Sequence, residues 1–402
     1  MKFPKKPFAM VILSLFIFFY IYIEAYSSSV RGVTDKTVKI GIIADLTGPA
    51  AGGIWIPCVE AMRCYIRNVN ENGGIHGRKI LTVIEDDRYS IPMALSAFKK
   101  VVFRDRVLLL MGASGVGHTH SIIPLAEKNE VAMIAVTNDS RYFNPVRKYI
   151  FSPLPFYEDQ VKLIFEYIFK DLQAKKPSIA IVYPDVAAGR VCRDACREMT
   201  KVYNNKNLID TIISTGSVDF TSQVLHLKRL KPDYVIMYGY VGSTSGFLRD
   251  AYKFKFKTNF IAIQYACVDD TIRIAGVAAK DLMGINCFSS WNDNCSGMVE
   301  LRKIVLKYHP ETTWKNRTYT QGWFASILFH NAFKNAGREL TTDTVIQGLE
   351  RINNFDTNGI CGIVSYGPND HKPIDYSRLY KADIEKKQFI PITDWRKPPK
   401  FN

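Results

Sequence analysis

Glu85-Asp86-Asp87 ends an apolar run in GRKILTVIEDD, and carboxylates clustered at a strand end are the oxygen ligands a divalent cation takes. No DxDxDG loop or second acidic cluster completes such a site. The favoured reading is therefore structural, with these oxygens accepting hydrogen bonds within loops or between lobes. Gly112-Ala113-Ser114-Gly115-Val116-Gly117 follows another apolar run. It lacks the Lys-Ser/Thr of a phosphate loop and the spacing of a dinucleotide fingerprint. Small residues there let a ligand reach backbone N–H groups, and a helix start after the loop favours an anion, with a carboxylate the natural occupant. His118-x-His120 stands without a second ligand pair and CxxC is missing, so the histidines are read as loop and helix-start residues, not zinc ligands. No GxSxG elbow and no Cys/His nucleophile setting is recognisable. Neither catalysis nor a cofactor nor a metal is expected.

These loops need strands to position them. Val38 to Ile43 is a short apolar run stopped by Thr47-Gly48-Pro49; a helix-length stretch, the Asn72-Gly73-Gly74 break and a second apolar strand follow. That is a βαβ unit and implies a parallel sheet, whose ligands bind beyond the carboxyl ends of the strands. Further units are read from strands at Val107–Met111 and Val131–Val136, with a helix at His120–Glu130 between them. Beyond Tyr149–Pro155 the pattern restarts, with strands at Ser178–Tyr183, Leu208–Thr215, Tyr234–Met237 and Phe260–Ile263. The restart argues for two similar α/β lobes. The last third is helical first (Gly297–Tyr308, Gln321–Ala336, Thr342–Ile352). Gly362–Tyr366, a Gly367–Asp370 turn and Ser377–Ile384 then read as a hairpin. Polar loops at strand ends, Ser114–Gly117, Thr137–Ser140, Gly239–Thr244 and Gln264–Asp269, are the candidate ligand contacts.

The amino terminus reads as an export leader over residues 1–25. Lys2, Lys5 and Lys6 precede an apolar stretch from Phe8 to Ile23, and Ala25 offers a small residue before a cut. The stretch is short against the roughly 20 residues of a membrane span; an uncleaved anchor is the competing reading. Without the leader the net charge falls from +15 to +13. Lys and Arg are scattered (Arg193, Lys228, Lys231, Lys253, Lys255, Lys257), which reads as a solvated basic surface and not a nucleic-acid site. Eight cysteines in an exported chain permit disulfides, with Cys287 and Cys295 the favoured pair; Cys192 and Cys196 share a helix face that strains a bridge.

VKIGIIADLTGPAAGG resembles the opening of bacterial periplasmic solute-binding proteins of the leucine/isoleucine/valine-binding family. LLLMGASG, VDFTSQVLHLKRLKPDYVIMYGY, YTQGWFASILFHNAFKNAGRELT and NFDTNGICGIVSYGPNDH extend the resemblance from about residue 37 to 390. It implies the type I periplasmic binding fold: two Rossmann-like lobes, 37–152 plus 290–361 and 153–289 plus 362–395, joined by three crossover segments. The crossings are placed near Phe151–Pro155, Phe288–Trp291 and Gly362–Ser365. It also implies a periplasmic monomer that binds a small-molecule solute by hinge closure and serves a membrane ABC permease. A sensor presenting the same clamp to a membrane kinase or receptor is the alternative.

In relatives that bind aliphatic amino acids, a Ser and a Thr in first-lobe loops hold the carboxylate and a second-lobe Glu meets the ammonium. That Ser falls at Val116, leaving the backbone N–H groups through Gly117 and the hydroxyl of Ser114 as the local donors. The Thr falls within Thr137-Asn138-Asp139, at Thr137 or Asp139, and the Glu falls at Gln264. A second-lobe Tyr becomes Ala188; Tyr240 and Tyr319 persist, and Trp55 offers a third wall. With Gln264 neutral, the resemblance points to a small organic acid, an amide or an unusual amino acid, unless Asp139 takes the ammonium.

Overall fold

A computed structural model describes residues 30–135, 139–206, 208–214, 216–372 and 374–401. The leader read over 1–25, and Thr137 and Asn138, lie outside these residues. The first sheet is built from β1 (Thr37–Ala44), β2 (Lys79–Asp86), β3 (Leu109–Met111), β4 (Ala132–Ile134) and β5 (Ile150–Phe151). Its order is β2-β1-β3-β4-β5 and every pairing is parallel. β3 and β4 are wholly buried, as expected of strands covered by helices on both faces. Helices α1 (Ile56–Glu71), α2 (Ile91–Lys99) and α3 (Val116–Lys128) form its crossovers.

The second sheet holds β6 (Ile179–Pro184), β7 (Leu208–Ile213), β8 (Tyr234–Met237), β9 (Asn259–Ile263) and β10 (Met283–Asn286) in parallel. Antiparallel β11 (Arg378–Asp383) and β12 (Gln388–Pro391) complete the order β12-β11-β10-β9-β8-β6-β7. Its helices are α4 (Tyr157–Glu166), α5 (Ala187–Val202), α6 (Thr221–Leu230), α7 (Val241–Lys253) and α8 (Asp269–Ala275). The hairpin thus differs from the sequence reading: Ser377–Ile384 pairs with β12, not with Gly362–Tyr366. Asp383 decides this locally, because its Oδ1 accepts the amides of Glu385 at 3.1 Å and Lys386 at 2.9 Å and closes a tight turn.

From the second sheet the chain returns to the first lobe as α9 (Ser296–Tyr308), α10 (Arg317–Ala336) and α11 (Thr342–Glu350). α10 lies directly on α1. A Cβ at Gly322 would fall 2.2 Å from the Cys58 carbonyl oxygen, so only glycine permits this approach. Cys58 Sγ donates to the Thr318 carbonyl at 2.9 Å in the same seam. The segments that link the lobes bind one another: Ser152 N donates to His371 O and Ser289 N to Ile360 O, both at 2.9 Å. The Tyr366 hydroxyl adds a 2.5 Å bond to Ser152 O. All eight cysteines are free thiols, so the Cys287–Cys295 bridge is absent. Cys287 faces Gln264, while Cys295 packs against Gly359.

Candidate functional site

In both sheets the strand order reverses once, between β1 and β3 and between β6 and β8, and ligands of such sheets bind outside these switch points. The two switch points face each other. Between them lies a cavity lined by Ile54, Trp55, Tyr89, Ser114, Gly115 and Val116 from the first lobe. The second lobe contributes Tyr157, Ala188, Tyr238, Tyr240 and Tyr265. Water centres have about 20 Å³ there, room for roughly one water. A solute the size of an amino acid enters only if the lobes or the phenols move apart.

Buried carboxylates shape the first-lobe wall. Asp45 accepts the amides of Gly48 at 2.5 Å and Ala50 at 2.8 Å, which folds the loop carrying Ile54 and Trp55. Burial raises the pKa of this carboxyl against those same bonds. Asp87 accepts the Tyr89 amide at 3.0 Å, the Ser114 amide at 3.2 Å and the Ser114 hydroxyl at 2.5 Å. It thereby ties the loop after β2 to the loop after β3. Asp86 accepts Leu46 N at 2.9 Å and Thr47 Oγ1 at 2.7 Å, and Glu85 pairs with Lys100. Asp86 and Asp87 are thus loop caps and Glu85 an ion-pair partner; among the described residues no group of three metal-ligating side chains forms.

Trp55 Nε1 donates to Ser114 O at 3.1 Å and braces the same loop. α3 begins at Val116 with Gly115 as an N-cap that supplies no side-chain bond. Thr119 N, bonded to Gly115 O at 2.9 Å, is the first amide satisfied, so the amides before it are donors without a helical partner. α5 and α7 also begin at the cavity, next to Ala188 and Tyr240. Three helix starts at one cavity favour an anionic group.

The second-lobe wall is phenolic. The hydroxyls of Tyr89 and Tyr240 meet at 2.5 Å across the lobes, and those of Tyr157 and Tyr238 lie 3.3 Å apart. Gln321 Nε2 of α10 donates to the Tyr265 hydroxyl at 3.3 Å, a second bond between lobes. Asn316 Nδ2 to Asp270 Oδ2 at 2.8 Å is a third. Burial pushes the pKa of all five phenols upward, so each keeps its proton and its capacity to donate. No Asp, Glu, Lys or Arg is among the described residues that line the cavity.

Of the residues singled out in the sequence, Trp55, Ser114, Val116 and Tyr240 meet in this wall. Gly117 lies one residue further into α3, where its Cβ direction meets Ile91 and Ala187. The buried Asp139 is occupied by Arg141, whose Nε lies 2.9 and 3.0 Å from its two oxygens. Gln264 has φ 37°, and its Oε1 accepts Gln160 Nε2 at 2.9 Å behind the wall; the next residue, Tyr265, reaches the cavity instead. Tyr319 is buried on α10, with Lys315 Nζ 5.1 Å from its ring centre, and is not part of the lining. Tyr89, Tyr157, Tyr238 and Tyr265 were not singled out. Their signal is an aromatic placed at or just beyond a strand end, or at the first helical position after a crossing. Behind Tyr89, the ring of buried His118 stands 4.7 Å away, and neither ring nitrogen has a partner among the described residues.

A family model described as periplasmic binding protein matches residues 37–388. The chain belongs to that family. Its members bind solutes and are not enzymes. This binding protein is 26% identical over 209 residues to the Leu/Ile/Val-binding protein BraC3 of Rhizobium johnstonii, covering 50% of this chain and 54% of that one. It is 25% identical over 255 residues to the Leu/Ile/Val-binding protein of Citrobacter freundii, covering 62% and 67%. Thus the chain spans between about half and two thirds of the curated relatives it matches. A branched chain amino acid ABC transporter structure from Thermus thermophilus with bound valine superposes with TM-score 0.82 at 22% identity, covering 91% of this chain and 97% of that one. A fatty acid ABC transporter substrate-binding protein from Thermomonospora curvata reaches 0.80 at 18% identity, covering 91% and 94%. Both show the shared two-lobe fold.

Proposed function

We propose that this protein is the extracytoplasmic binding component of an ABC importer, and that its solute is a small organic acid or amide related to an amino acid. The observation that carries the reading is the chemistry of the cavity: the start of α3, whose first amides have no helical partner, and five protonated phenols line it, with no charged side chain among the lining residues described. The amides and phenols donate to a carboxylate or an amide oxygen. An α-ammonium finds only phenol oxygens there, and forgoes a charge-assisted bond worth about 1.5–3 kcal/mol. Asp139, the other candidate for that ammonium, is already paired with Arg141. The two structural neighbours are named for different solutes, which fits a scaffold whose specificity is set by wall residues. Closure around the linking segments, delivery to a membrane permease, export by the amino-terminal leader and a monomeric state complete the proposal.

A thermal-shift screen of residues 26–402 against amino acids, carboxylates and amides tests it. A ligand at ~100 times its Kd adds about 2.7 kcal/mol of stability. The expected hits are acids or amides, lost in Tyr240→Ala. Tight binding of leucine, isoleucine or valine alone would refute the ligand class.

A further inference from the structure

The lysines that look scattered in the sequence are gathered by the topology. In a parallel sheet, the segments that precede successive strands all meet at one edge. In the second sheet that edge is the one remote from the cavity. Lys231 precedes β8, while Lys255 and Lys257 precede β9; Lys228 joins them from the last turn of α6. These four exposed lysines surround a concavity of about 450 Å³, floored by Pro232, Phe256, Thr258 and Asn259. Lys175, Lys176, Lys206 and Lys280 lie exposed in the segments before β6, β7 and β10, on the same edge.

The concavity contains one acid, Asp233, and its Oδ2 is engaged by the Ser178 amide at 2.7 Å. None of the four inner lysines forms an ion pair among the described residues; Lys228 Nζ donates to the Phe254 carbonyl at 2.8 Å. In the first lobe, by contrast, Lys148 pairs with Asp343 at 2.8 Å and Arg147 with Glu127 at 2.9 Å, while Lys99, Lys128, Lys303 and Lys334 are exposed but lie on separate helices or helix ends and not around one concavity. Unpaired charges closer together than a Debye length, about 10 Å at 0.1 M salt, act jointly on an anionic partner.

We propose that this end of the second lobe docks on the anionic phospholipid surface of a membrane. The concavity seats a phosphate headgroup, and the surrounding lysines lie along the membrane plane. The segments before five strands present the charge as a broad face, which suits an extended surface. Because the face is at the opposite sheet edge from the cavity, docking leaves the cleft free to open. This inference is independent of which solute the cleft takes.

Co-sedimentation of the full exported chain with vesicles tests it, using phosphatidylcholine alone and phosphatidylcholine with about 30% phosphatidylglycerol. The expected result is binding only to the anionic vesicles, weakened about tenfold or more by raising salt from about 0.05 to 0.5 M. Combined Lys228→Glu, Lys231→Glu, Lys255→Glu and Lys257→Glu substitutions abolish it with an unchanged melting temperature. Combined Lys99→Glu, Lys128→Glu, Lys303→Glu and Lys334→Glu substitutions, all at exposed first-lobe sites, remove the same charge and leave binding intact. Equal loss in both variants would overturn the assignment by reducing it to net charge. Equal binding by the parent and the second-lobe variant would overturn it too, as would binding of inorganic phosphate without binding of vesicles.

Discussion

The hydroxyls of Tyr89 and Tyr240 share a 2.5 Å hydrogen bond across the cleft, one from the loop after β2 and the other from the loop after β8. Each belongs to a different lobe, so this bond exists only when the lobes are together. Its energy enters the closing equilibrium and not the stability of either lobe.

Tyr240→Phe keeps the ring and removes that bond. A net hydrogen bond contributes about 0.5–1.5 kcal/mol, so the closed population falls and the apparent Kd for a bound solute rises about 2- to 10-fold. Calorimetric titration gives the affinity, and small-angle scattering gives the shift of the unliganded protein toward an open shape. The melting temperature of the lobes stays close to that of the parent. An unaltered Kd and an unaltered scattering curve would show that the phenol pair does not latch the cleft.

Asp87→Ala should be far more damaging. Asp87 is fully buried and holds three donors: the amides of Tyr89 and Ser114 and the Ser114 hydroxyl. Stranding such donors costs about 1–3 kcal/mol each, partly recovered by relaxation, so a loss near 3 kcal/mol in urea unfolding is expected. Solute binding falls with it, because the Ser114 loop forms the cavity wall. A chelator leaves both stability and binding unchanged, which separates an amide-capping carboxylate from a metal ligand.

Two partly buried groups give opposite pH slopes. Glu158 is raised to about 7, chiefly by burial and also by the Asp139 charge, against the hydrogen bonds from Ser140. A carboxyl with a raised pKa in the folded state stabilises the fold below its unfolded pKa of about 4.3, and that contribution is lost as pH rises through about 7. His330 is lowered to about 4, first by burial and then by Lys334. An imidazole kept neutral in the folded state costs stability as pH falls from about 6.5 toward 4. The two slopes oppose each other in mild acid. Denaturant titrations at several pH values should show that Glu158→Gln removes the decline toward pH 7, by roughly 2–3 kcal/mol at most. His330→Asn should flatten the acid side. Parallel profiles for parent and both variants would count against these assignments.

The two-lobe α/β fold was legible because buried parallel strands appear as unbroken apolar runs, such as Leu108 to Met111, and because each ends in a Gly-rich or polar loop. Trp55, Ser114, Val116 and Tyr240 could be found for the same reason, since loops at strand ends converge on a site. Tyr157, Tyr238 and Tyr265 were hidden because only the folded chain brings their separate loops together. Gln264 illustrates a one-residue limit: a left-handed backbone at that position turns its side chain toward Gln160, and Tyr265 takes the wall position. Ser377–Ile384 was recognisable as a strand, but its partner depended on the Asp383 turn, a local choice that alternation alone does not determine. The lysine face likewise arises from strand order and has no counterpart in sequence spacing.

The proposed function requires that a phenolic, uncharged cleft accept a carboxylate without its ammonium. Calorimetric titration of matched pairs tests it most directly: leucine against 4-methylpentanoate, valine against 3-methylbutanoate, phenylalanine against 3-phenylpropanoate and its amide. Each acid differs from its amino acid only at the α-amino group, and the amide differs from its acid only at the carboxyl. The acid or amide should bind at least about tenfold more tightly than the amino acid, the effect of one lost charge-assisted bond. An amino acid that binds more tightly than its des-amino partner would contradict it.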